Sequence, residues 1–132
     1  MVRKKIALDT NVVIGILNGE SNILTLLSGY SSIYLPVTVY GELLFGAKNS
    51  AKHCENEQKY LSFIKHCNIL NVDEPIAEQY AITRKLLKSK GRPIPENDIW
   101  IAATCIVNHI PLATFDSDFK CVDDLILVEL KH

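Results

Sequence analysis

Short apolar runs alternate with longer amphipathic stretches along the chain. The short runs predict buried strands, and the longer stretches, in which apolar residues recur every three or four positions, predict helices. The predicted strands are Ile6–Leu8, Ile33–Leu35, Ile69–Val72, Pro111–Phe115 and Ile126–Leu130. Because parallel strands require helical crossovers, this alternation predicts a three-layer α/β/α fold with a central parallel sheet of about five strands flanked by helices.

Caps and prolines mark the predicted helix boundaries. Ser21 is a candidate N-cap for the second helix. Asp73, followed by Pro75, predicts the start of a long amphipathic helix that runs to about Ser89. The segment 92–95 contains two prolines and must be extended, because a residue before proline avoids the helical conformation. A very apolar helix follows this segment.

Length and composition indicate one globular domain over residues 1–132, with 48% apolar and 22% charged residues. No run approaches the roughly 20 apolar residues of a membrane span, and the N-terminus lacks the features of a signal peptide, so we expect a cytoplasmic protein without a membrane contact. The four cysteines form no CxxC pair, which favours reduced thiols over a disulfide framework. A net charge of -1 gives no overall attraction to nucleic acid.

Four carboxylates stand in apolar surroundings at predicted element boundaries or within a helix. They are Asp9 after the first strand, Glu42 in the helix after the second, Asp98 at the start of the apolar helix and Asp116 after the fourth strand. Asp9 is the only charged residue in 6–19, and Glu42 is the only one in 21–47. Burying such carboxylates is costly unless something positive meets them.

A structural explanation exists for three of these acids taken singly. Asp9 can be a helix cap, Asp98 can be a first-turn acid favoured by the helix dipole, and Asp116 can be a turn residue. Glu42 lies in mid-helix and has no such explanation. If all four converge at the carboxyl edge of the sheet, their repulsion calls for a hard cation, Mg²⁺ or Mn²⁺ rather than zinc. Such an ion can activate water for phosphodiester hydrolysis.

The same residues carry a family resemblance. Asp9-Thr10-Asn11, Glu42, Asn97-Asp98 and the run from Thr114 to Phe119 resemble, in order and spacing, the motifs of the PIN domain. Length and spacing are especially similar to those of the single-domain toxin ribonucleases of the VapC type, from type II toxin–antitoxin systems. The resemblance implies a PIN-like fold and a metal-dependent endoribonuclease that hydrolyses RNA by a metal-activated water.

The resemblance also implies roles for individual residues. Asp9, Glu42, Asp98 and Asp116 match the acidic quartet that holds Mg²⁺ or Mn²⁺ and positions the attacking water. Supporting polar positions are matched by Thr10, Asn11 and Thr114, and Asp118 is placed to exchange roles with Asp116. Implied partners are an RNA substrate, a small cognate antitoxin protein and a second copy in a homodimer. Periodicity leaves open whether Leu26, Leu27, Tyr40 and Phe45 belong to a dimer interface or to the core.

RNA approaching an acidic site needs flanking cations. Arg84, Lys85 and Lys88 fall on one side of their helix, and Arg92 leads toward Asp98, so these are candidate phosphate contacts. Lys48 and Lys52, beyond the helix of Glu42, are second candidates. A solvated helix face explains the same charges equally well.

Other functions fit parts of the pattern. A PIN-domain nuclease that processes RNA without being a toxin would need the same acids. A non-catalytic RNA-binding module would gain nothing from clustered repulsion. A phospho-receiver domain would need adjacent acids after the first strand and a lysine after the last, and Asp9 stands there as a single acid.

Overall fold

The five predicted strands form one parallel sheet in a computed structural model that describes residues 4–131. They are β1 (Lys5–Leu8), β2 (Ser32–Pro36), β3 (Asn68–Leu70), β4 (Leu112–Thr114) and β5 (Leu127–Glu129). The order across the sheet is β3-β2-β1-β4-β5, with every neighbouring pair parallel. The predicted α/β class and parallel sheet are confirmed.

Helices connect successive strands and cover the sheet, which completes the three-layer fold. They are α1 (Thr10–Leu17), α2 (Ser21–Leu27), α3 (Val37–Lys48), α4 (His53–Ile64), α5 (Glu74–Ser89), α6 (Glu96–Asn108) and a 3₁₀ helix over Ser117–Cys121. Within residues 4–131, none of them has the length and apolar character needed to cross a membrane.

The strand order reverses its direction beside β1. The chain runs outward from β1 through β2 to β3, and it then returns to place β4 and β5 on the other side of β1. Leu8 pairs with Ala113, and the Asp9 N–H donates to the Ala113 carbonyl at 3.0 Å. The residues that follow β1 and β4 therefore lie side by side at the switch point of an open parallel sheet, where such folds bind ligands.

The core lies between the sheet and its helices. Ile6, Ala7 and Leu8 of β1 are fully buried, as expected for a central parallel strand with both faces covered. The very apolar helix predicted after residue 95 is α6, in which Ile101 and Ala102 have no exposed surface. This burial holds α6, and with it Asp98, against the sheet.

Of the two helix N-caps predicted above, one is confirmed and one is wrong. Asp73 is the N-cap of α5, because its Oδ1 accepts the Ile76 N–H at 3.2 Å. The prediction for Ser21 was wrong, since Ser21 is the first residue of α2 and Glu20 precedes it as N-cap without a side-chain bond. Ser21 instead accepts the Thr25 hydroxyl through its own carbonyl at 2.9 Å, as a helical residue does.

The sequence left open whether four apolar residues, Leu26, Leu27, Tyr40 and Phe45, belong to a dimer interface or to the core. The structure gives them different environments. Leu27 is in the core, while Leu26 and Tyr40 are half-buried. Phe45 is 70% exposed on α3 and contributes little to the core. Of the four, Phe45 is thus the side chain most available to a partner.

Candidate active site

Asp9 has a bonded partner for each carboxylate oxygen. Its Oδ1 accepts the Thr10 N–H at 2.8 Å and caps α1, and its Oδ2 accepts the Thr114 hydroxyl at 2.7 Å. Burial raises the pKa of Asp9, the Thr114 and Thr10 bonds oppose that rise, and the charge of Asp116 adds to it. The cap explanation and a role in the site are therefore compatible.

Thr114 links the ends of β1 and β4. Its hydroxyl donates to Asp9, and the same oxygen accepts the Asp116 N–H at 3.0 Å. Asp116 Oδ1 then accepts the Asp118 N–H at 2.9 Å and caps the 3₁₀ helix. This chain of bonds fixes Asp116 beside Asp9, whereas Asp118 is exposed.

Glu42 projects from α3 toward Asp9. Burial is the main cause of its raised pKa, the charge of Asp9 adds to it, and the nearby Thr10 hydroxyl offsets part of it. Among residues 4–131, Glu42 Oε1 and Thr10 Oγ1 are buried polar atoms without a partner of full hydrogen-bond geometry. A buried oxygen without a hydrogen bond lowers the stability of the folded protein. Two such oxygens side by side indicate a place where a ligand can bind.

Asp98 is close enough to the other acids of the site for their charges to influence its pKa. It lies in the first turn of α6 and is half-buried. Burial, followed by the charges of Asp9, Asp116, Glu42 and Asp118 in that order, raises its pKa to about 7. Every influence on this carboxyl favours the neutral form, which is the behaviour of a like-charge cluster.

The donor set suits a hard cation. Glu42 Oε1 is unpaired, Asp98 is surrounded by like charge, and the converging side-chain donors are oxygens, as Mg²⁺ and Mn²⁺ prefer. In their present positions, no three or more His, Cys, Asp or Glu side chains of residues 4–131 are arranged to hold an ion. The set fits by chemistry, and its closure around an ion would require side-chain movements.

The predicted supporting residues differ in their involvement. Thr10 and Thr114 contact the acids, as described above. Asn11 lies in the first turn of α1 with an exposed side chain, and the site described so far does not include it.

The predicted RNA-contacting cations are exposed, and two of them already have partners. Lys48 forms an ion pair with Glu57 at 3.1 Å. Arg84 Nη1 donates to the Tyr80 hydroxyl at 2.7 Å and lies 3.7 Å from Glu96 Oε1. The other four are exposed as well: Lys52, Lys85, Lys88 and Arg92.

Sequence reasoning missed a group that clamps α5 to the start of α6. The Tyr80 hydroxyl donates to Glu96 Oε1 at 2.6 Å, and its ring stacks on Trp100 with centroids 3.9 Å apart. Tyr80 and Arg84 are four residues apart on one helix, and so are Glu96 and Trp100. That spacing was the available signal, but it could not show that the two helix faces meet.

The family model "PIN domain" matches residues 6–125. The chain belongs to the PIN domain family. The matched range includes Asp9, Glu42, Asp98 and Asp116. The matched family is not that of phospho-receiver domains.

Relatives with similarity over most of the chain carry ribonuclease names. "Ribonuclease VapC2" of Rickettsia felis is 30% identical over 125 residues, covering 91% of this chain and 93% of the relative. "Ribonuclease VapC1" of Haemophilus influenzae is 28% identical over 123 residues, covering 89% and 92%. A solved structure of VapBC2 from Rickettsia felis, bound to a DNA fragment from its promoter, superposes with a TM-score of 0.85 at 29% identity, covering 95% and 98%.

Proposed function

We propose that this PIN-domain protein is a Mg²⁺- or Mn²⁺-dependent endoribonuclease, the toxin of a toxin–antitoxin pair. One observation carries the proposal: burial, together with the charges of four other carboxylates, raises the pKa of Asp98 at the switch point to about 7. Clustered carboxylates repel one another and destabilise the fold, and groups with such raised pKa values are found mainly at functional sites. The VapC ribonuclease names of the relatives support the choice of RNA as substrate.

Asp9, Glu42, Asp98 and Asp116 would hold the metal. When bound, the ion would supply a water activated for attack and positive charge for the phosphate oxygens. Asp9 and Asp116 are held in fixed relation through the Thr114 hydroxyl. Glu42 keeps one buried oxygen, Oε1, without a partner of full hydrogen-bond geometry, which leaves this oxygen free to coordinate an ion.

The partners we propose are a small antitoxin and a second copy of the chain. The antitoxin is supported by the similarity to VapBC2, solved as a complex on DNA. The homodimer is supported by exposed apolar side chains such as Phe45 and Leu24, at 70% and 50% exposure. Either partner could cover these residues, and a mass measurement with and without the antitoxin would separate the two.

Cleavage of a bacterial RNA pool with and without Mg²⁺ tests the nuclease. We expect wild type to cleave RNA only when the metal is present. Asp98→Asn should lower the cleavage rate at least about 100-fold, which is the upper end of the losses seen for residues around metal ligands. The matched control is Asp124→Asn, an exposed aspartate outside the site, which should cleave like wild type. Cleavage in EDTA, or cleavage by Asp98→Asn at the wild-type rate, would refute the proposal.

Growth on induced expression tests the toxin role. Wild type should arrest growth and Asp98→Asn should not, and coexpression of the antitoxin should relieve the arrest. An RNA-processing nuclease would cleave in vitro and leave growth unaffected.

A further inference from the structure

A cleft of about 460 Å³ opens between α5 and the segment that leads into α6. Its apolar walls come from Leu87 of α5, Pro93 and Ile94 of the extended segment and Ile99 of α6. Gly91 follows α5 with a positive φ of 66°, which turns the chain out of the helix and into the extended segment. The volume lies within the range of ligand sites, roughly 300–1,000 Å³.

Charged residues at the cleft leave one cation in excess. Arg84, Glu96 and Lys88 line it together with the apolar walls. Arg84 and Glu96 face each other at 3.7 Å and share the Tyr80 hydroxyl, so their charges offset each other. Among residues 4–131, Lys88 has no acidic side chain within ion-pair distance.

The cleft adjoins the acidic site. Glu96 and Ile99 line the cleft, and Asp98 lies between them in the first turn of α6. One helical turn advances only about 5.4 Å along the axis, and successive residues are turned by about 100°, so the cleft and Asp98 lie on neighbouring sides of the same turn. A nucleic-acid strand that passes around this turn can contact both.

We propose that this cleft binds one nucleotide of single-stranded RNA adjacent to the scissile phosphate, with the base against Ile94 and Ile99 and a phosphate on Lys88. The inference rests on the proposed ribonuclease function and adds a substrate subsite to it. Proteins bind single-stranded nucleic acid by combining cations for the backbone with side chains that pack against the bases, and in this cleft the aliphatic Ile94 and Ile99 take the place of the more usual aromatic residues. Of the five cations in residues 84–95, Arg84 and Lys90 are paired with Glu96 and Asp123, whereas Lys85, Lys88 and Arg92 are in none of the ion pairs found among residues 4–131.

Salt dependence of binding tests the phosphate contact. Binding of a fluorescent RNA oligonucleotide is measured on the Asp98→Asn background, which prevents cleavage, over a range of salt concentrations. Lys88→Gln should reduce the slope of log affinity against log salt by about 0.7, the value for one phosphate contact on a single strand. Lys59→Gln removes the same charge from α4 and should leave the slope unchanged.

Substrates with a single abasic nucleotide test the base contact. At one position next to the cleavage point, loss of the base should weaken binding by about fivefold, corresponding to roughly 1 kcal/mol. Ile94→Ala should weaken binding of the intact RNA and abolish the effect of the missing base at that position, because coupled partners give non-additive losses. A thermal melt confirms that Ile94→Ala is folded, and the exposed Lys88→Gln gives an independent result.

The outcomes separate this inference from the proposed function. If wild type cleaves RNA but Lys88→Gln keeps the wild-type slope, or base loss has the same effect in Ile94→Ala, the cleft proposal is overturned and the nuclease stands. If RNA binds with the expected slope change but wild type never cleaves, the nuclease proposal fails, the cleft stands as an RNA-binding site, and its place next to a scissile phosphate is overturned. If both variants weaken only antitoxin binding, the cleft belongs to a protein partner and the RNA proposal is overturned.

Discussion

Replacing Asp98 by asparagine should stabilise the metal-free protein. The carboxyl sits among four others, which together with burial raise its pKa from 3.8 to about 7. A rise of that size corresponds to about 4 kcal/mol of unfavourable free energy for the charged form. Solvent screens a half-exposed group, so we halve the value and expect a gain of about 2 kcal/mol for Asp98→Asn at pH 8.

The gain should depend on pH with a defined sign. A carboxyl whose pKa is raised by folding binds its proton more tightly in the folded state, so wild-type stability from this group falls as pH rises from 3.8 toward 7. Asparagine has no proton to lose. The difference between the two proteins should therefore be near zero at pH 4, grow through pH 5–7 and level off above about pH 7.

Thermal unfolding in EDTA measures the effect. For a chain of this size, about 2 kcal/mol corresponds to roughly 6–10 °C in Tm. Asp124→Asn is the matched control and should stay within about 0.5 kcal/mol of wild type at all pH values. Added Mg²⁺ at 100 times its Kd should raise wild-type stability by about 2.7 kcal/mol and reverse the order of the two proteins. An Asp98→Asn protein no more stable than wild type at pH 8 without metal would refute the convergence of the acids.

Three further substitutions test the fold around the site. Thr114→Val removes a buried hydroxyl that bonds Asp9, and should cost about 1–3 kcal/mol in urea unfolding; an unchanged midpoint would contradict the link. Gly15→Ala would place a methyl group against Glu20 Oε2, at the end of a flexible side chain, and 2.6 Å from Cδ1 of Ile23, which is fully buried. Because Ile23 has little room to move, the substitution should destabilise by about 1 kcal/mol in the same assay. His109 ends α6 with a positive φ of 55°, so His109→Gly should raise stability by about 0.5–1 kcal/mol, and a lower Tm would count against strain at this position.

The sheet was predictable because each strand is a short apolar run between polar segments. The exact ends of the strands were less predictable. The strand predicted over Pro111–Phe115 spans Leu112–Thr114, because only those residues find parallel partners in β1 and β5. The order of strands was not predicted, since apolar periodicity determines which face of an element is buried and not which element lies beside it.

The acids of the site were predictable from their isolation in sequence. The bonds that arrange them were not, because they join residues far apart in the chain. Asp9 and Thr114 are 105 positions apart, and their hydrogen bond depends on β1 and β4 becoming neighbours. The stack of Tyr80 on Trp100 and the cleft beside it have the same origin, in the packing of α5 against α6.

Asp9 and Glu42 show how the fold and the site share their carboxylates. Both oxygens of Asp9 are bonded, one to the start of α1 and one to Thr114, so this residue would be retained for structural reasons alone. Glu42 has a buried oxygen without a hydrogen bond, and its raised pKa shows that its surroundings disfavour its charge. A glutamine there would relieve that cost, so the fold does not explain a glutamate. Of these two residues, Glu42 therefore supports the functional inference more strongly than Asp9 does.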